Sequence, residues 1–213
     1  MDTLLLFVRH AQTDDNVGSR LSGWTDSALS ALGESQTLYL AEHFQRSHEV
    51  AALYSSTLTR ALRTAEAIGR LIGEVPRQRE DLREMHFGRF EGWPLERVEA
   101  EHPEILKAED DLAREFAWPE GESRQTFRGR VRSAIDDISR AHAGQSVAIV
   151  THGGVISYFL TILHNQSVVN WRDWYVPNAS LSEVVWDPDL GRGTLVRHGF
   201  DDHLAPLRAV AAP

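Results

Sequence analysis

Apolar residues along the chain fall into two alternating patterns. Residues 4–8 (L-L-L-F-V) form a short continuous apolar run, as expected of a strand buried on both faces of a parallel sheet. Residues 50–54 and 146–150 repeat that pattern. Between the runs, apolar positions recur at helical spacing. Ser30 is a suitable N-cap for a helix to about residue 45, with Leu38, Leu40, Ala41 and Phe44 as its apolar face. A second helix is predicted over 58–72. Leu58, Leu62, Ala65, Ile68 and Ile72 share one face, Glu66 and Arg70 form an i,i+4 pair on the other, and Gly73 ends it. Phe127, Val131, Ala134, Ile135 and Ile138 form the stripe of a third helix, capped by Ser123 and closed by Gly144. A fourth, strongly apolar helix covers 155–163.

Residues 11–28 and 82–94 are turn-rich and irregular. Helical pieces at 95–101 and 104–116, split by Pro103, read as a cap inserted between core elements at about 95–120. Two late strands are predicted at 181–186 and 194–198, and the terminal A-V-A-A-P is expected to fray. Alternating strands and helices predict an α/β fold. We read residues 1–213 as one domain, a three-layer α/β/α sandwich with a mostly parallel central sheet, some antiparallel pairing at one side and a small helical cap insertion.

Composition narrows the function classes. The 213 residues carry a formal net charge of −9, which argues against a nucleic-acid or membrane-surface binder. The chain has no cysteine, so disulfides, thiolate nucleophiles and cysteine-ligated metals are excluded. The N-terminus lacks the features of a signal peptide and no stretch approaches the roughly 20 apolar residues of a membrane span, so a cytoplasmic location is expected.

The chemistry-bearing residues sit where predicted strands end. The first strand stops at Arg9-His10, the second at Ser55-Ser56-Thr57 with Arg60 just beyond, and the third at Thr151-His152-Gly153-Gly154. In open α/β sheets, sites form outside the carboxyl ends of the strands. Two arginines, two histidines and two helix starts at one rim suit a dianionic phosphoryl group. A neutral imidazole can attack phosphorus. Each residue also has a plainer reading. Arg9 and His10 suit a strand end that meets water, Arg60 a solvated helix face, the two glycines a tight turn, and Glu84 an ordinary surface carboxylate. The signal lies in the set.

That set resembles the histidine phosphatase superfamily, the phosphoglycerate-mutase-like group. The carrying motifs are R-H-A-Q-T (9–13) with Asn16, S-G-W-T-D-S-A-L-S-A-L-G (22–33), S-S-T-L-T-R-A-L-R-T-A-E (55–66), L-R-E-M-H-F-G-R-F-E-G-W (82–93), G-E-S (121–123) and V-T-H-G-G-V-I (150–156). They cover nearly the whole chain in the family's order. One departure is Ala11, where the family usually has glycine; alanine suits the position if φ is negative there. The resemblance implies His10 as nucleophile through a phosphohistidine, its other ring nitrogen donating to a backbone carbonyl. It implies Arg9, Arg60 and His152 as ligands of the phosphoryl oxygens, and Glu84 as the acid that protonates the leaving alcohol and then activates water. Asn16, Ser22, Gly23 and Gly153 would touch phosphate or substrate. Neither a metal nor a cofactor is implied, and the expected partner is a small phosphorylated metabolite, with a homodimer as a further expectation.

The E-M-H-F-G-R-F-E-G-W stretch resembles the phosphatase branch; mutases typically carry tyrosine where Phe87 stands, and longer insertions. The expected activity is therefore phosphomonoester hydrolysis. The alternatives are a cofactor-dependent phosphoglycerate mutase, a non-catalytic phospho-ligand-binding homologue, and a metallohydrolase built on His10, His152 and Glu84. The substrate is not readable. Trp24, Phe87, Trp93, Phe116 and Trp118 are candidates either for an apolar wall around it or for simple packing.

Overall fold

The computed structural model describes residues 1–111, 113–164 and 171–210. Among these, six strands form one sheet: β1 (Thr3–Arg9), β2 (Ala52–Ser56), β3 (Arg77–Arg79), β4 (Ser146–Thr151), β5 (Leu181–Asp187) and β6 (Arg192–Phe200), in the order β3-β2-β4-β1-β5-β6. The pairs β2–β3, β2–β4 and β1–β4 are parallel, and β1–β5 and β5–β6 are antiparallel. The sheet is thus mixed and mostly parallel at its centre, as the apolar runs predict. β3 was not predicted: its sequence, R-Q-R, carries no apolar signal because it lies at the sheet edge with Arg77 and Gln78 exposed.

Side chains alternate across β1 and divide the core in two. Leu6 and Val8 face helices α2 (Ala31–Ser47) and α3 (Thr59–Ile72), packing with Leu40, Phe44, Ala65 and Ile68. Leu5 and Phe7 face α6 (Arg124–Ala141) and α7 (Gly153–Leu163), packing with Val131, Ile135, Val155 and Phe159. Helices therefore cover both faces of the sheet.

Local signals place most helix ends. Ser30 caps α2, accepting from the Gly33 N–H, and Ser123 caps α6, accepting from the Thr126 N–H. Gly73 closes α3 in the left-handed region at φ 79°, where a β-carbon would be strained. Three sequence expectations are corrected. Leu38 is 61% exposed and the buried face of α2 includes Gln36, which accepts from the Gln12 N–H, and Thr37, whose hydroxyl donates back to the Glu34 carbonyl. The buried face of α3 keeps the expected Ala65 and Ile68 and adds Arg60, Ala61 and Thr64, and Glu66 pairs with Arg63 rather than Arg70. The cap contains α4 (Leu95–Glu101) and α5 (Pro103–Asp110). Its second helix stops well before Phe116, which is buried against the Trp118 ring.

Short α1 (Asp14–Val17) follows β1, and α8 (Ala205–Val210) extends into the tail that composition marked for fraying; residues 211–213 lie outside the described part. No helix among the described residues is long and apolar enough to cross a membrane.

Candidate active site

The carboxyl ends of β1, β2 and β4 meet at one rim. His10 follows β1, and its backbone N–H donates to the Thr151 carbonyl at the end of β4. The rings of His10 and His152 lie with centroids 5.2 Å apart. His10 Nδ1 lies 2.8 Å from the Ala11 carbonyl oxygen. A carbonyl only accepts, so Nδ1 carries the proton and Nε2 keeps its lone pair. Ala11 is buried and has an ordinary negative φ, so the alanine sits there without strain.

Arg60 stands in the first turn of α3, where a cation is disfavoured by the helix dipole. Asp26 offsets this: it accepts from the Thr59 N–H at 2.9 Å and from the Thr59 hydroxyl, capping a helix that has no side-chain cap of its own. The Arg60 guanidinium is almost fully buried and donates to the carbonyls of Ser22 (2.8 Å), Gly23 (2.6 Å) and Thr25 (2.9 Å), and from Nε to His152 Nδ1 (3.3 Å). It folds the 22–25 loop over the site. Ser22 and Gly23 thus come to the rim through their carbonyls, and the Ser22 hydroxyl donates to Asp15. Burial lowers the Arg60 pKa, partly opposed by Glu84 and Asp26.

With Nδ1 accepting from Arg60, His152 Nε2 carries the proton and donates to Ser56 Oγ at 2.8 Å. Arg9 donates from Nη1 to the Val176 carbonyl (2.7 Å), lies over the Tyr175 ring, and passes close to Gly153, where a Cβ would stand 3.4 Å from its Cζ. Its Nε is buried without a partner among the described residues, an arrangement that asks for a ligand acceptor. Glu84 accepts from the Gly154 N–H (2.9 Å) and the Met85 N–H (3.0 Å). Asn16 Oδ1 accepts from the Thr13 N–H and from Asn178 Nδ2, which leaves the Asn16 NH2 group to donate elsewhere.

The sequence reading missed three residues that hold this frame. Asn178 also donates to the His10 carbonyl, tying the loop before β5 to the turn at His10. Asp26 caps α3 from 33 residues away. Arg130 on α6 donates to the carbonyls of Asp81, Arg83 and Glu84 and to both oxygens of Glu122, so one guanidinium clamps the loop that carries Glu84. Arg130 is one of several arginines on α6, and no local motif sets it apart.

Electrostatics keep both imidazoles uncharged. The His10 pKa lies well below 6.5 because of burial, then of the Arg60 and Arg9 charges; that of His152 is lowered by burial, then by Arg60. Unfolded, these histidines protonate below about pH 6.5; folded, they resist it. Their neutral states therefore contribute full stability above pH 6.5, and that contribution is lost as pH falls from there toward the lowered folded values. Each such group costs about 1.4 kcal/mol per pH unit, so the pair should remove about 2–3 kcal/mol between pH 7 and 5.5. The expected result is a thermal midpoint roughly 5–10 °C lower at pH 5.5. His10→Gln should remove about half of that drop.

Two arginines, two neutral histidines and a carboxylate thus meet at the strand ends of an α/β sandwich, an arrangement suited to a phosphoryl group. The profile of the histidine phosphatase superfamily (branch 1) matches residues 5–201, and the chain belongs to that family. It is 32% identical over 180 residues to putative phosphoserine phosphatase 2 of Hydrogenobacter thermophilus, covering 84% of this chain and 88% of that protein. It is 30% identical over 223 residues to the metal-independent phosphoserine phosphatase of Arabidopsis thaliana, covering 96% and 90%. Among solved structures, mycobacterial glucosyl-3-phosphoglycerate phosphatase superposes with a TM-score of 0.83 at 30% identity, covering 94% of this chain and 100% of that one. Other relatives are phosphoglycerate-mutase-like.

Proposed function

We propose that this protein hydrolyses phosphomonoesters of small metabolites through a phosphohistidine at His10, without a metal. The observation that carries this reading is the His10 tautomer: Nδ1 is bonded to the Ala11 carbonyl, so the lone pair of Nε2 is available beside Arg9, Arg60 and His152. Arg9 Nε, Arg60 and the Asn16 amide hold the phosphoryl oxygens, and arginines supply the charge that a metal supplies elsewhere. His152 joins them by taking a proton from solvent at Nδ1, because the incoming dianion draws Arg60 Nε away and its charge favours the imidazolium that burial and Arg60 otherwise disfavour. The Nε2–P bond forms as the P–O ester bond breaks, and Glu84 delivers a proton to the departing alcohol oxygen. Water then attacks phosphorus, Glu84 takes its proton, and the P–N bond breaks to release inorganic phosphate and restore neutral His10.

The test pairs two assays. With p-nitrophenyl phosphate, we expect phosphate release unaffected by EDTA and an acid-labile phosphate on His10 in rapidly quenched samples. With 3-phosphoglycerate and a bisphosphoglycerate primer, isomerisation without phosphate release would instead establish a mutase.

Gly154→Ala probes Glu84. A Cβ at that position would lie 2.2 Å from Glu84 Oε1, so the carboxylate must move. A misplacement of this size costs roughly 100-fold. The loss should appear in kcat for alkyl phosphates, whose alcohols need the proton, and be much smaller for p-nitrophenyl phosphate, whose leaving group does not.

A further inference from the structure

Glu91, in the E-G-W end of the 82–93 motif, stands between the two loops that frame the site. Arg60 holds the 22–25 loop by its carbonyls. Glu91 holds the same loop by its N–H groups: Oε1 accepts from the Trp24 N–H (2.9 Å) and Oε2 from the Thr25 N–H (2.8 Å). Oε1 also accepts from the Phe87 N–H (2.9 Å), on the loop that carries Glu84. The Gly23 carbonyl and the Trp24 N–H belong to one peptide unit. That unit therefore runs from the Arg60 guanidinium, at 2.6 Å, to the Glu91 carboxylate.

We infer that Glu91 is a positioning residue: it fastens the 22–25 loop to the Glu84 loop and so sets the Arg60 fork, on the phosphoryl side, against the acid on the leaving-group side. This rests on the phosphatase reading above and adds the group that fixes the two ends of the reaction relative to each other.

Three observations support it. First, an ionised carboxylate only accepts, and all three of its bonds here come from main-chain N–H groups of the two loops. A cation at one end of the shared peptide and an anion at the other polarise it and strengthen both bonds. Second, the loops touch. A Cβ at Gly23 would lie 2.2 Å from Glu91 Oε1 and 2.2 Å from the Met85 carbonyl oxygen, so any side chain there would push them apart. Third, the same two loops are joined again beside the acid. Trp24 Nε1 donates to the Glu84 carbonyl (2.9 Å), and the Arg83 guanidinium lies over the Trp24 ring at 5.1 Å. A shift of Trp24 is therefore a shift of the backbone that carries Glu84. Glu91 also acts on Arg60 through charge: burial lowers the Arg60 pKa, and Glu84, Asp26 and then Glu91 oppose it.

Two measurements on the whole chain test this. Affinity for inorganic phosphate reports on Arg60. The kcat ratio of phenyl phosphate to p-nitrophenyl phosphate reports on Glu84, because phenol needs a proton to leave far more than p-nitrophenol does. For Glu91→Ala we expect the Kd of inorganic phosphate to rise at least about 10-fold and that ratio to fall at least about 5-fold. Glu91→Gln keeps one acceptor oxygen but turns its NH2 group on a main-chain N–H, and should fall between. Thr3→Val removes the hydroxyl bonds of a buried residue at the far end of β1. It should lower the thermal midpoint and leave both measurements unchanged, as a loss of stability alone would. If Glu91→Ala does not fold, Glu91→Gln decides on the same two measurements. Values within about twofold of the unaltered chain in the folded Glu91 variants overturn the inference. So does a weaker phosphate Kd with an unchanged ratio, which removes the link to Glu84. Turnover of p-nitrophenyl phosphate but not phenyl phosphate by the unaltered chain also overturns it, since there is then no acid to position. Phosphate release from neither ester overturns the phosphatase reading itself, and the phosphate Kd then tests the hold of Glu91 on Arg60 alone.

Discussion

His10→Ala should reduce phosphate release from any monoester by at least about four orders of magnitude, with the fold retained. On the proposed mechanism the substitution removes the Nε2 lone pair that would form the P–N bond, and no neighbour replaces it: His152 Nε2 donates to Ser56 and its Nδ1 accepts from Arg60. The fold should survive because the imidazole makes one side-chain hydrogen bond, to the adjacent Ala11 carbonyl, and the β1–β4 pairing is main-chain throughout. The checks are steady-state phosphate release, the absence of acid-labile phosphate, and a thermal midpoint close to that of the unaltered chain. A variant retaining more than about a tenth of the activity would show that His10 is not the nucleophile.

Arg60→Ala should be nearly as severe and, unlike His10→Ala, should also weaken the fold. Arg60 donates to three carbonyls of the 22–25 loop and to His152, so its loss frees the loop as well as removing the proposed phosphoryl ligand. We expect kcat/KM to fall by about 1,000-fold and stability by about 3 kcal/mol, the scale of several charge-assisted bonds lost together. Arg60→Lys should recover little, because an ammonium cannot span three carbonyls and a phosphoryl oxygen from one planar fork. Kinetics and thermal melts on both variants check this; near-normal kcat/KM in Arg60→Ala would remove Arg60 from the phosphoryl site.

The amino-acid sequence by itself determined the class of fold, most element positions, and the strand ends at which Arg9, His10, Arg60 and His152 stand. These were legible because they depend on short-range rules. Continuous apolar runs mark buried strands, helical stripes mark covered helices, and Ser30, Ser123 and Gly73 mark helix ends through their own hydrogen bonds or backbone freedom. The same rules placed Leu38 inside and missed β3, because a pattern cannot tell which flank of a stripe a neighbour covers, and an exposed edge strand has no pattern to show.

The tertiary structure alone decided how the rim works. The His10 and His152 tautomers are set by the Ala11 carbonyl, Arg60 and Ser56. Asp26 supplies the anion at the start of α3, Arg130 on α6 clamps the Glu84 loop, and Asn178 braces the turn at His10. Apart from the His10–Ala11 bond, each of these contacts joins residues tens of positions apart, and only the tertiary arrangement brings them within hydrogen-bond reach. A local sequence pattern reports what a segment buries; it carries no information about which distant segment it meets.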